Sequence, residues 1–419
     1  REVLIFEAEN AADVAETRLA EFMVSHTMGI QAMFPVIVPQ LPIETAEHAD
    51  AYIERFSKIP QAYAEANARL AEGVANGRTP MASTAHKTVE QIDAMLAAPL
   101  DQDPFTRAQL PAGMDEAEWR GRLVDLARDH VRPGLQAYRD MIAETVVPAG
   151  RSDDQPGLSW LPDGEATYSR LVKQHTSLPL DPEEIHHLGL RQVEMLADEY
   201  KELGSEVLGT TDLNEIFSRL RDDPDLHFTA GADVVAASEV AMAKAKAEMG
   251  NWFGRLPKAD CVVAETPSGP TAFYFPPATD GSRPGTFFVN TEDPTRWGRF
   301  EIEAMAYHEG IPGHHLQLAI SQELENVPEF RKHAGVTVYA EGWGLYTERL
   351  ADEMGLYSGP LERIGMLSAD SMRAGRLVVD TGIHAKGWTR QQAIDYFLSL
   401  IHISEPTRPP LLSRMPSSA

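Results

Sequence analysis

From Asn10 to about Asp260, apolar side chains recur at spacings of three and four with Ala, Leu and Glu between them. That is the pattern of helices that each bury one face. Two stretches carry it most clearly: AYIERFSKIPQAYAEANARLAEGVANG, residues 51–77, and EEIHHLGLRQVEMLADEYKELG, residues 183–204. Asp181-Pro182 opens the second as N-cap and first-turn proline, and Gly77 and Gly204 close the two, as helix C-caps commonly do. No repeat of fixed period runs through the region, so the pattern predicts an irregular helical array rather than a solenoid.

Between Cys261 and Thr291 the texture changes. CVVAETP, TAFYFPP and GTFFVNT are short β-branched and aromatic runs bounded by Pro and Gly, and they predict a small antiparallel sheet. Helical spacing then resumes to about Ser399. The organisation expected is therefore mainly α: a helical region over 1–255, a core with the sheet and its neighbouring helices over 256–399, and a tail over 400–419. The tail, LIHISEPTRPPLLSRMPSSA, has four prolines and no periodicity. It resembles translated sequencing-adapter read-through and is read as non-native or disordered, so His402 carries no functional weight.

Composition narrows the function classes. With 43% hydrophobic and 24% charged residues, the chain is that of a globular protein. A net charge of −26 argues against nucleic acid and anionic membrane as partners. The longest uncharged stretch, Thr27 to Ile43, holds Pro35, Pro39 and Pro42 and falls short of the ~20 residues of a membrane helix, so no membrane insertion is expected. The single cysteine, Cys261, rules out an internal disulfide and a multi-cysteine zinc site. It fits a cytoplasmic location; the alternative is a leader for periplasm or secretion lost upstream of Arg1.

The chemistry concentrates in MAYHEGIPGHHLQLAI, residues 305–320. Histidines that bind one metal ion must bring their ring nitrogens to about 2.0–2.1 Å from it, which positions i and i+4 of a helix achieve. His308 and His314 are six apart, about 9 Å along a regular axis and about 120° out of phase. Pro312-Gly313 lies between them, and a bulge there absorbing two residues would return His314 to the face of His308, with Glu309 as general base. His315 is the rival second ligand; it would need three residues absorbed. For the third ligand, VTVYAEGWGLYTERLADEMG offers Glu341, flanked by small residues, with Glu348 two turns on as a partner holding a histidine. Glu323 and Glu325 are the fallback.

At this point the residues match a known family. YHEGIPGHHLQ, PGTFFVNTEDP, YAEGWGLYTERL and RLVVDTGIHAKGWTRQQAI, with GEATYSRLVKQHTSLPLDPEEIHHLGL further upstream, resemble the bacterial family catalogued as domain of unknown function 885, from about Ala8 to Ser399. The resemblance implies a grouping with gluzincin-type zinc peptidases, related to helical carboxypeptidases and oligopeptidases, and hence an irregular multi-helix zincin-like body. It implies the ligands His308, His314 and Glu341, one Zn2+ per chain, and a peptide substrate. Members usually continue past this point with an Arg-Tyr pair and a Pro-Gly-Gln run, so any transition-state donor in that segment would be missing here.

The expected chemistry is hydrolysis of peptides by a Glu309-activated water, with carboxypeptidase-like action as one form. His384 is the expected oxyanion donor, oriented by Asp380, with Tyr339 or Tyr346 as substitutes. Asn290, on a sheet edge formed by GTFFVNT, would bond an added substrate strand. Arg373 and Arg376 share a helical face, and Arg376 is the candidate to clamp a terminal carboxylate. A zinc-dependent amidase or esterase would use the same site. A helical binding protein with a structural or decayed metal site is the non-enzyme alternative.

Overall fold

The computed structural model describes residues 1–38, 41–266, 270–333 and 335–400; Pro39 and the tail from residue 401 lie outside them. The chain is mainly helical with one three-stranded sheet, and it separates into two compact units. One holds residues 11–171 and 382–394; the other holds 1–10, 172–381 and the described residues from Asp395. This division runs elsewhere than the boundary expected at 255. Helix Gly231–Trp252 explains it, because that helix packs on helix Ile302–Glu309 and on the first strand and so belongs to their body. Among the described residues no helix is long and apolar enough to cross a membrane.

The unit built on residues 11–171 gathers helices Ala46–Phe56, Ile59–Ala75, Ala82–Ala97 and Glu116–Leu126 around an aromatic core. Thr45 and Asp115 start two of them by accepting the backbone N–H three residues on. The periodic stretch 51–77 is two helices, separated at Ser57-Lys58, with Pro60 in the first turn of the second. Tyr52, Phe56, Phe105 and Trp119 meet edge to face, and the Tyr52 hydroxyl donates to the Phe105 carbonyl at 2.9 Å.

In the other unit, helix Pro182–Val207 begins where the sequence places it, with Asp181 accepting the Glu183 N–H at 2.9 Å. Its end differs. Gly204 lies inside the helix against Ile216, and the chain turns only at Gly209, whose φ is +70°.

The strands are β1 (Cys261–Thr266), β2 (Ala272–Phe275) and β3 (Gly285–Asn290), in the spatial order β1-β3-β2. β1 runs parallel to β3 and β2 antiparallel to it, so the sheet is mixed rather than antiparallel. GTFFVN is consequently the central strand, not an edge. Its Phe287 and Val289, two apart and so on one face, are fully buried, while Phe288 on the other face is only partly covered. Asn290 therefore has no edge to offer. Its side-chain oxygen accepts the Glu292 N–H at 2.9 Å and its carbonyl accepts the Trp297 indole N–H at 2.8 Å, which ends the strand.

Among the helices that follow, four matter here: Ile302–Glu309, His314–Gln322, Thr337–Glu353 and Pro360–His384. Arg349 of the third joins helix Pro182–Val207 through Glu199 at 2.6 Å and the fourth through Asp370 at 2.7 Å.

Candidate metal centre

The break at Gly310–Gly313 is complete. Instead of a bulged helix, residue 309 ends one helix and residue 314 begins the next. Glycine at 313 has a steric reason, since a Cβ there would meet the His308 carbonyl oxygen at 1.9 Å. The turn is held from outside by Trp343, whose indole N–H donates to the carbonyls of Pro312 at 3.0 Å and Gly313 at 3.2 Å.

This turn brings the two imidazoles together. Their ring centres lie 4.7 Å apart with planes at 82°. Glu341 reaches both from helix Thr337–Glu353: His308 Nε2 is 3.6 Å from its Oε2, and His314 Nε2 is 3.8 Å from its Oε1. The ligand atoms of all three groups fall within 4.8 Å of one another. Tetrahedral zinc with bonds of about 2.0–2.1 Å sets its ligand atoms roughly 3.3 Å apart, so small side-chain adjustments close the cluster around one ion. Gly344, one turn on from Glu341, makes the approach of the two helices possible: a Cβ there would stand 2.6 Å from His308 Cε1.

Behind His308, Glu348 Oε1 lies 2.7 Å from Nδ1, and both side chains are buried. This carboxylate holds a proton on Nδ1, so Nε2, which faces Glu341, is the nitrogen a metal ion would take in place of its own proton. Arg373 Nη2 donates to the same Glu348 oxygen at 3.1 Å. Orphaned atoms mark the cluster: His314 Nδ1, Glu348 Oε2 and Arg373 Nη1 are buried without a hydrogen-bond partner among the described residues. Two imidazoles, one of them backed by a carboxylate, and an exposed carboxylate form a donor set that suits zinc.

The electrostatics follow from burial and neighbours. Burial disfavours the charged form of His308, but Glu341 and Glu348 outweigh it and raise its pKa to about 9. Burial and then the His308 charge lower His314 to about 4. Glu341 is pulled below its ordinary value, chiefly by its bond to His308. Burial lifts Glu309 to about 7, helped by Glu341 and opposed by His308. The Glu309 carboxylate makes no hydrogen bond or ion pair with any described residue.

Other sequence candidates are placed elsewhere. His315 faces the sheet: its Nε2 donates to the Ala259 carbonyl at 3.1 Å, and its Nδ1 accepts from the Tyr274 hydroxyl at 2.9 Å. With both nitrogens engaged, it is a strut between helix and sheet rather than a ligand. Glu323, the fallback ligand, accepts the Lys258 N–H at 2.7 Å. His384 is not in the cluster. It belongs to the unit of residues 11–171, where its Nδ1 accepts the Leu158 N–H at 3.1 Å and its ring stacks on Tyr168. Asp380 acts on His175, a residue sequence reasoning passed over, whose pKa burial lowers and Asp380 raises. His175 Nδ1 lies 3.4 Å from the Thr337 hydroxyl, one turn before Glu341. Tyr339 and Tyr346 are exposed and stand about 160° and 140° around the helix from Glu341. Arg376 is exposed, one turn along from Arg373.

The family described as "Bacterial protein of unknown function (DUF885)" matches residues 1–408. No curated protein matches the chain. Among solved structures, "The crystal structure of the putative lipoprotein from Colwellia psychrerythraea" is similar at a TM-score of 0.86 and 26% identity, over 92% of this chain and 68% of that one. A lipoprotein of unknown function from Shewanella oneidensis, also described as "putative", shares the fold at a TM-score of 0.62 and 17% identity, over 97% of this chain and 76% of that one.

Proposed function

We propose that this chain, which belongs to the DUF885 family of bacterial proteins, is a zinc-dependent peptidase in a zincin-like, gluzincin-type body, with Glu309 as its general base. The observation that carries the reading is the convergence of His308 Nε2, His314 Nε2 and a Glu341 oxygen within 4.8 Å, beside a Glu309 carboxylate that has no partner. These three residues would hold one ion. A bound zinc supplies Lewis acidity and brings the pKa of a water toward ~7.

The remaining work falls to the chain. Glu309, whose burial pushes its pKa upward, is placed to take a proton from the attacking water and to deliver it to the leaving amine. Glu348 keeps His308 in the tautomer whose Nε2 is free, and Arg373 balances the buried Glu348 charge. Openness favours catalysis over a structural role. Three protein ligands would leave the fourth position of a tetrahedral ion to water, whereas structural zinc sites are closed by four. The likeness to the Colwellia lipoprotein supports an exported location over the cytoplasmic one that the cysteine count led us to expect.

The test is elemental analysis of purified protein joined to mass-spectrometric profiling of peptide cleavage, with and without chelator. One zinc per chain and chelator-sensitive cleavage are expected. Glu309→Gln should keep the metal and lose at least about a hundredfold in turnover. A wild-type chain that binds zinc yet cleaves no peptide in a proteome-derived library would refute the reading.

A further inference from the structure

Arginines in this acidic chain are mostly spoken for. With 37 basic against 63 acidic residues, carboxylates outnumber cations. On the helices around the centre, Arg349 pairs with Glu199 and Asp370, Arg363 with Asp352, and Arg373 with Glu348. Arg376 is exposed and has no ion-pair partner among the described residues.

Its position follows from helix register. Helices Thr337–Glu353 and Pro360–His384 run antiparallel, since Arg349 meets Asp370 and Glu348 meets Arg373. Continuing that seam sets Arg376 opposite the turn that runs from Glu341 to Gly344. The charges agree: Arg376 is felt by both Arg373 and Glu341, and partial desolvation and Arg373 lower its pKa while Glu341 opposes them. Helix register and the charge coupling thus put Arg376 on the Glu341 side of the centre, with no ion pair to Glu341 among the described residues.

We propose that Arg376 binds the terminal carboxylate of a peptide, so that the chain removes residues from carboxyl ends; this rests on the peptidase reading above. A guanidinium presents paired N–H groups that match a carboxylate in two parallel hydrogen bonds. In the reaction, water adds to the carbonyl carbon and the C–N bond breaks. The water proton passes to the departing amine, leaving a shortened peptide acid and a free carboxyl-terminal fragment.

The experiment is calorimetric titration of the metal-free full chain with an N-acetylated dipeptide acid and with its carboxamide. Wild type should bind the acid at least tenfold more tightly than the amide. Arg376→Gln, a surface change whose fold is checked by circular dichroism, should bind both alike, and Arg376→Lys should keep part of the preference. Equal binding of acid and amide by wild type, or a preference that survives in Arg376→Gln, overturns the proposal. The measurement needs no turnover. A chain that discriminates the carboxylate but cleaves nothing when loaded with zinc would retain the subsite and lose the peptidase reading.

Discussion

His308 Nδ1 donates to Glu348 Oε1 across 2.7 Å, joining helix Ile302–Glu309 to helix Thr337–Glu353 by a bond in which both side chains are buried. The bond selects which imidazole nitrogen is left to bind. Partners of this kind typically govern metal affinity by 10–100-fold. Glu348→Ala should therefore weaken zinc binding by about that factor, with Glu348→Gln intermediate. Competition against a chromophoric chelator measures it; unchanged affinity in Glu348→Ala would show that the pair is only packing.

Gly344 is predicted to be intolerant of any side chain. A methyl group would sit 2.6 Å from His308 Cε1 and 2.8 Å from Nε2, so either the helices part or the ring turns. Gly344→Ala should lose at least tenfold in zinc affinity and about 1–3 kcal/mol in stability, as overpacked cores do. Thermal melts with and without zinc test both. A variant with normal binding would mean that the two helices can separate at little cost.

The histidine pair at 314 and 315 offers a sharp contrast. His314→Ala should abolish stoichiometric zinc. His315→Ala should keep zinc but lose the bridge from helix to β2 through Tyr274, at a cost of about 1–3 kcal/mol for the buried partners left unpaired. Elemental analysis of the two variants decides; zinc lost from the second and retained in the first would reverse the assignment.

The metal-free chain should show a pH signature of Glu309. Its pKa is about 7 in the fold against an ordinary 4.5, so the folded state holds the proton more tightly. The stability this contributes is complete below about 4.5 and lost as pH rises through about 7, at most about 3 kcal/mol. His314, lowered from 6.5 to about 4, works in the opposite direction, its contribution being lost as pH falls through about 4. Glu309→Gln removes only the first effect. Its melting temperature should climb relative to wild type between pH 4.5 and 7 and then level off. A constant offset across that range would show that Glu309 is not held protonated by the fold.

Much of the centre was legible because its cues are local. His308, His314, Glu341 and Glu348 announce themselves by residue type, by the Pro-Gly interruption and by a two-turn spacing. What the sequence hid depends on long-range placement. Strand order put GTFFVN in the middle of the sheet, and nothing within the segment itself fixes that order. His384 looked free on an amphipathic helix, yet its partners Leu158 and Tyr168 lie more than 200 positions earlier. His175 gave no signal at all, because nothing in its own segment points to Thr337 or Asp380. Gly204 shows the reverse error: a glycine read as a helix stop was kept for close contact with Ile216.

The three converging groups are unequal in their access to water: the histidines are buried, while Glu341 carries 61% exposure on its side chain. Water and small solutes would therefore reach an ion held there from the Glu341 side. Exchange should then begin at the carboxylate, letting small chelators strip the ion in a first-order step whose rate rises sharply in Glu341→Gln.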